Sequence, residues 1–186
     1  ASAIQLKRSN GKFTVPTDGS AGIVYRIIGS RSSSLAPAEG DGTSANPYKI
    51  SSIDDLNLIQ ANQGAYYRLT KNISTDGRTN FSASYLSWTL DGAGFTLTGL
   101  QKPLIQQNAG TIKDLNIVAD FDYDRHDTHG VVTQYNTGKI QDCKVTGTVT
   151  GHMGSTSSMS HPAFGGIVGE NEVAGTISGC SSGVDI

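Results

Sequence analysis

A short frame that returns three times most narrows what this chain can fold into. Pro103-Leu104-Ile105-Gln106-Gln107-Asn108 leads to Gly110-Thr111-Ile112-Lys113-Asp114-Leu115. Gly130-Val131-Val132-Thr133-Gln134-Tyr135-Asn136 leads to Gly138-Lys139-Ile140-Gln141-Asp142-Cys143. Gly166-Ile167-Val168-Gly169-Glu170-Asn171 leads to Gly175-Thr176-Ile177-Ser178-Gly179-Cys180. Each is an apolar pair, a polar stretch ending in Asn, and then Gly-x-Ile-x-x followed by Leu or Cys. The turn glycines fall at 110, 138 and 175, so the intervals are 28 and 37 residues. Unequal periods with matching ends describe one structural unit carrying inserted loops of different length, which is the signature of a stacked repeat. The units run over about 101–128, 129–164 and 165–186. Each supplies three short strands, as in 130–132, 139–140 and 144–149. Three strands per repeat, with Gly and Asn at the corners, predict a parallel β-helix in which every rung stacks Ile, Leu, Val and Cys on its neighbours. Asn and Gly suit the corners because both tolerate left-handed backbone angles.

Composition agrees. With 23 glycines and only 16% charged residues, the chain favours strands and tight turns. One domain with a small extra segment is expected at 186 residues. The net charge of −2 argues against a nucleic-acid binder. The charge is uneven, however: residues 1–38 hold five bases and one acid, the remainder nine bases and fifteen acids. Such asymmetry predicts that the two parts face different partners. No window is long and apolar enough for a membrane span, and no signal-peptide pattern is present. Ala1-Ser2 is what removal either of an initiator Met or of a leader would leave.

Residues 1–38 read as a basic attachment segment, with Ile4, Leu6, Lys7 and Arg8 as its contact residues. Ala3 to Lys7 alternates as a half-buried strand, Asn10-Gly11 is a turn, and Gly22 to Gly29 reads as a buried strand. The second domain is expected over 39–186. It begins with an extended Asn46-Pro47-Tyr48-Lys49-Ile50 and an amphipathic helix over 53–61. Ser52 and Asp55 make a capping-box-like start to that helix, Ile53, Leu56 and Ile59 share a face, and Gly64 stops it. That helix is placed to cover the open end of the stack. At the far end nothing follows 182–186, so a partner chain or further repeats are expected to cover the last rung, and the protein is expected to be an oligomer or part of a larger assembly.

Cys143 and Cys180 occupy equivalent positions in two units and read as a ladder of small buried side chains. Asp120, Asp122 and Asp124 are the weak metal candidates: alternate carboxylates share one face of a strand and suit Ca²⁺. Leu115, Ile117, Ala119, Phe121 and Tyr123 take the other phase, so those carboxylates read first as a strand's wet face. His126, His129, His152 and His161 are weaker candidates still, for zinc. Trp88 and Tyr85 are the glycan-contact candidates, Trp88 as an exposed stacking platform. No catalytic residue and no cofactor are expected.

Two resemblances add to this. Residues 40–186 resemble the GLUG-repeat proteins of bacterial surfaces. The likeness lies in Gly42-Thr43-Ser44-Ala45-Asn46-Pro47-Tyr48-Lys49-Ile50, Tyr67-Arg68-Leu69, Leu90-Asp91-Gly92-Ala93-Gly94-Phe95-Thr96-Leu97-Thr98-Gly99-Leu100, and Gly165 to Asn171 with Gly175-Thr176-Ile177. The units at Leu104-Ile105 and Val131-Val132 depart from the pattern by lacking the flanking Gly pair. The resemblance implies a right-handed parallel β-helix with an adhesion or surface-display role. Ile4-Gln5-Leu6-Lys7-Arg8-Ser9 with Val15-Pro16-Thr17 is similar to the start of phage fibre and virion-surface proteins, where such a segment lies at the attachment end. The expected function is therefore a non-enzymatic structural or adhesion protein, first a phage virion accessory (decoration, head fibre or tail) on the virion surface, its partners virion or cell-surface proteins bound through 1–38. The alternatives are an extracellular bacterial adhesin that binds glycans or a host surface, and a polysaccharide lyase or glycosidase using the Asp120–Asp127 cluster.

Overall fold

A computed structural model describes residues 7–9, 12–14, 37, 39–59, 64–75, 83–123, 128–151 and 164–185, with backbone alone at 7–9, 12–14, 122–123 and 151. The chain forms two compact units, Ala1–Ser33 and Ser34–Ile186. In the first, β1 (Lys7–Ser9) and β2 (Lys12–Thr14) pair antiparallel, Arg8 opposite Phe13. The Asn10-Gly11 dipeptide joins them. The expected strand at 22–29 lies outside the described residues.

The second unit is nearly all strand, and every strand pairing described in it is parallel. It opens with β3 (Tyr48–Ile50), α1 (Ile53–Leu56), β4 (Tyr66–Leu69) and β5 (Ile73–Ser74). There follow β6 (Ala83–Leu86), β7 (Thr89–Asp91) and β8 (Thr96–Leu100), then β9 (Ile105–Asn108), β10 (Thr111–Lys113) and β11 (Asn116–Tyr123). Next come β12 (His129–Gly130), β13 (Thr133–Asn136), β14 (Lys139–Gln141) and β15 (Lys144–Gly151), and finally β16 (Phe164–Gly165), β17 (Val168–Asn171), β18 (Thr176–Ser178) and β19 (Ser181–Asp185). The chain visits three sheets in rotation. One is ordered β3-β4-β7-β10-β14-β18, the second β5-β8-β11-β15-β19, the third β6-β9-β13-β17, with a short β12-β16 pair beside it. A circuit of the same three strands, β6 to β8, thus precedes the three units marked by the sequence repeat.

Register fixes what stacks on what. The inward column of the first sheet is Tyr67, Leu90, Ile112, Ile140 and Ile177. In the second, Ile73, Leu97, Ile117 and Val145 align. All but Ile177, which is exposed, are buried in one apolar cluster. Along β11 the expected alternation holds for the side chains described: Leu115, Ile117, Ala119 and Phe121 are buried and Asp120 is exposed.

A second column is polar. Asn108, Asn136 and Asn171 stack in register. Asn108 Nδ2 donates to Asn136 Oδ1 at 2.7 Å, and Asn136 Nδ2 donates to Asn171 Oδ1 at 2.7 Å. The ladder also closes each corner: Gly110 N donates to Asn108 Oδ1 at 3.1 Å, and Asn171 Nδ2 to the Gly175 carbonyl at 3.0 Å. Asn108 and Asn136 are fully buried, and these bonds satisfy amides that would otherwise be costly there.

The repeated glycines have a different reason from the one the sequence implied. Gly110, Gly138 and Gly175 do not have positive φ. A Cβ on Gly110 would meet the Trp88 carbonyl, one on Gly138 the Gly110 carbonyl, and one on Gly175 the Asn136 carbonyl. They are there because successive circuits approach backbone to backbone. The left-handed corner lies four residues later, at Asp114 (φ 50°), Asp142 (φ 51°) and Gly179 (φ 64°).

The helix is shorter than its expected span of 53–61. Ser52 caps it, accepting from Asp55 N at 3.1 Å. Asp55 Oδ2 accepts from Ser51 N, Ser51 Oγ and Ser52 Oγ. In a capping box the acceptance would be from the N-cap's own amide. α-Helical geometry ends at Leu56, because Asn57, a residue that competes for backbone hydrogen bonds, caps it. Leu58 and Ile59 continue with i−3 bonds to Asp55 and Leu56, the tighter geometry common at a helix end. Ile53, Leu56 and Ile59 are buried as the pattern predicted, and α1 packs on β3, the edge strand of its sheet.

Candidate functional site

The outward positions of the stacked strands form columns, and these carry what the surface offers. On the first sheet Lys49, Arg68, Asp91, Lys113, Gln141 and Ser178 align. Asp91 sits between Arg68, at 3.1 Å, and Lys113, at 3.2 Å, with its other oxygen accepting from Ala93 N at 2.8 Å. It is largely covered, and both its oxygens are engaged. Lys49 pairs with Glu39 at 3.0 Å in the open, where such a pair adds little.

Beside this sheet runs a groove of about 420 Å³. It crosses five successive circuits. Tyr66 stands at one end, followed by Ser87 and Thr89, Thr111, Thr137 and Lys139, and it ends at Ala174. Tyr66 is 40% exposed. The trough exists because the residue two before each strand is small: Gly64, Ser87, Ala109, Thr137 and Ala174 hold that place. A smaller cavity of about 330 Å³ lies by the helix cap, among Glu39, Lys49, Ser51, Asp55 and Thr70.

Trp88 is not the exposed platform expected of it. Its ring is 4% exposed and lies 6.1 Å from that of Tyr67, which packs against Tyr48 at 5.5 Å. The position precedes β7 where later circuits have glycine, and the indole fills the space inward. Its Nε1 has no hydrogen-bond partner among the described residues. Tyr85 is 40% exposed and shares an outward column with Gln107, Tyr135 and Glu170. Tyr66, which is not among the glycan-contact candidates, lines the groove; its place in the outward phase of β4 is the signal that marks it.

Asp120 is exposed on β11 in register with Thr148. Asp122 follows two residues on, in register with Thr150. Asp124, His126, Asp127, His152 and His161 lie outside the described residues. His129 is half-buried in β12, in register with Phe164. Among the described residues no three His, Cys, Asp or Glu side chains gather as a metal would require. Ile4 and Leu6 lie outside the described residues, while Lys7 and Arg8 are in β1.

The two thiols stack and are not bonded to each other. Cys143 N donates to Cys180 Sγ at 3.4 Å, and each thiol donates to a carbonyl two residues back, at 3.2 Å to Gln141 and 3.3 Å to Ser178. Burial pushes the Cys143 thiol up to about 12. At Asp55, burial raises the carboxyl, but the hydrogen bonds from Ser52 and Ser51 together outweigh it and hold the group below the usual carboxylate value. Asp41 is held low by the Thr43 amide and hydroxyl, at 3.0 and 2.7 Å, which fold the loop before β3.

Among the described residues, fold and surface together define a nearly all-β protein whose second unit is built of parallel sheets with one short helix. No family model matches the sequence, and no curated protein does. A crystal structure from Bacteroides ovatus, of a protein provisionally named an immunoglobulin A1 protease, is similar with a TM-score of 0.56 at 16% identity. The match covers 80% of this chain and 60% of that one, and at this identity the likeness is one of fold.

Proposed function

We propose that residues 39–186 form a right-handed parallel β-helix of the GLUG-repeat kind, and that the protein is a non-enzymatic surface module which displays its lateral face to a glycan or host surface, held to its carrier through residues 1–38. The rotation of the chain through three parallel sheets supports the β-helix. The groove carries the functional reading. Its five circuits, at about 4.8 Å per strand step, extend roughly 19 Å, the length of several sugar units. Ser87, Thr89, Thr111 and Thr137 line it, and an exposed tyrosine stands at its end. A polyhydroxylated chain with flat apolar sugar faces matches that lining. Two of the described carboxylates have structural partners, Asp91 with two cations and Asp55 with the helix cap, which supports a structural use for them.

Two settings suit such a module. The resemblance of 4–17 to virion-surface proteins supports a phage decoration, head-fibre or tail component. The bacterial source of the similar structure supports a cell-surface adhesin. Mass spectrometry of purified virions against surface-shaved bacterial cells separates them. The protease name belongs to the neighbour. The decisive experiment is binding to a panel of immobilised glycans by the protein and by Tyr66→Ala and Thr111→Arg, with the same glycans and immunoglobulin A1 assayed for cleavage. Binding weakened tenfold or more by both substitutions is expected. New reducing ends, unsaturated sugars or immunoglobulin fragments would overturn the reading, as would binding indifferent to both changes.

A further inference from the structure

Charge is unevenly placed on the second unit. Residues 39–186 hold nine bases and fifteen acids, a balance of −6. The strands of the first sheet run against this, with Lys49, Arg68, Lys113 and Lys139 against Asp91 alone, a balance of +3. Three of those cations are engaged. Lys49 pairs with Glu39, Arg68 and Lys113 with Asp91, and Lys113 also lies 3.7 Å from Asp114. Lys139 is exposed and has no ion pair among the described residues. It is also the single charged side chain among the described residues that line the groove. Parallel register sets it in one column with Tyr66, Thr89 and Thr111. It stands three strand steps from the tyrosine, about 14 Å at roughly 4.8 Å per step.

We propose that the groove takes an acidic glycan, with a carboxylate or sulfate of the chain at Lys139 Nζ and a sugar face on Tyr66. This rests on the glycan reading of the groove and adds the charge of the ligand to it. Arg68 and Lys113 are held beside the groove by Asp91, which leaves Lys139 as the cation available to a ligand. Its partner is an anion, because the other described lining residues carry no charge and an ammonium in such a trough attracts the opposite sign. One cation a few sugar units from one aromatic suits a chain with an occasional acidic sugar among neutral ones. It also fixes register: an uncharged chain can slide along the threonines, while an acidic one is held where its anion meets Lys139. Single-stranded nucleic acid is the poorer match, since grooves that bind it follow the whole backbone with positive charge and this one has a single cation.

The probes are partly methyl-esterified polygalacturonate against the same chain fully esterified, and lightly sulfated dextran against plain dextran. Each pair shares a backbone and differs in charge, and the two pairs tell a carboxylate from a sulfate. The protein is expected to bind the charged member of at least one pair about tenfold more tightly than its neutral twin. Lys139→Gln should weaken that binding about fivefold, the scale of one solvent-exposed ion pair, and leave the neutral member unaffected. Lys139→Arg should retain it. Lys144→Gln, an exposed lysine on the second sheet, should change nothing, and Tyr66→Ala should weaken both members. If charged and neutral members bind alike and both depend on Tyr66, the glycan reading stands and the acidic ligand is overturned. If no glycan binds, both fall. Equal losses with Lys139→Gln and Lys144→Gln would mean diffuse attraction, and displacement by polyglutamate or single-stranded DNA as readily as by the charged glycan would mean a site for anions of any kind; either result overturns the proposal.

Discussion

Replacing Asn136 by alanine tests how much the polar ladder holds the stack together. Asn136 is fully buried and makes three bonds: its Oδ1 accepts from Asn108 Nδ2 at 2.7 Å, and its Nδ2 donates to Asn171 Oδ1 at 2.7 Å and to the Gly138 carbonyl at 3.3 Å. After truncation the buried Asn108 amide keeps only the Lys139 carbonyl at 3.5 Å, a weak contact. One buried donor is left wanting, costing about 1–3 kcal/mol, while the Gly138 carbonyl keeps the Thr176 amide at 2.9 Å and Asn171, being exposed, recovers water. With the lost bonds a loss of about 2–3 kcal/mol follows. Asn171→Ala removes a bond at the exposed end of the same ladder and should cost about 1 kcal/mol. Urea unfolding followed by fluorescence reads both, since Trp88, the single tryptophan, is buried in the stack. If Asn136→Ala costs no more than Asn171→Ala, the ladder is not a buried network and the reasoning fails.

The remaining predictions concern the spacing, the thiols and the cap. Gly138→Ala should destabilise by about 2 kcal/mol through overpacking against the Gly110 carbonyl, whereas Gly94→Ala, with positive φ but open space around it, should show only the left-handed strain of about 1–2 kcal/mol. A thiol reagent at pH 8 should label Cys180 well before Cys143; equal rates would contradict the packing. Because folding raises the Cys143 value from 9.0 to about 12, its contribution to stability is complete below pH 9 and is lost as pH rises toward 12. This is measurable as a declining urea midpoint that Cys143→Ala abolishes. Asp55→Asn should cost about 1 kcal/mol. In the native protein, the Asp55 contribution is present above the ordinary carboxylate value of 3.8 and falls away as pH drops through its lower folded value. A pH series comparing native and variant melting temperatures reads the difference.

The stack was legible because its core positions obey a strict rule. Ile112, Ile140 and Ile177 each follow a glycine by two residues, and only parallel register explains unequal spacing with matching ends. The circuit from β6 to β8 escaped the frame because Leu86 stands at the ladder position and Trp88 at the glycine position, so neither marker is present. Trp88 was misjudged for the same cause. In a column otherwise made of glycine and alanine a large ring has to turn inward, and that column is visible only once register is known. The glycines were read as corners since φ is the usual reason for glycine. The backbone approach that requires them is between residues a circuit apart in sequence, while Asp114, Asp142 and Gly179 take the true left-handed corner. The groove was not legible at all, because it is made by small residues from five separate circuits.

The order of the circuits has a consequence for how the protein comes to be folded. The end covered by α1 on β3 lies earlier in the chain, and the circuit of β17 to β19 follows the others. Chains emerge from synthesis in that order. Each circuit, once made, meets a finished edge in the right register, with the asparagine and isoleucine columns already aligned to receive it. Folding thus gains a direction and a template, and the long-range pairing that usually slows parallel sheets is reduced to a series of short, guided additions.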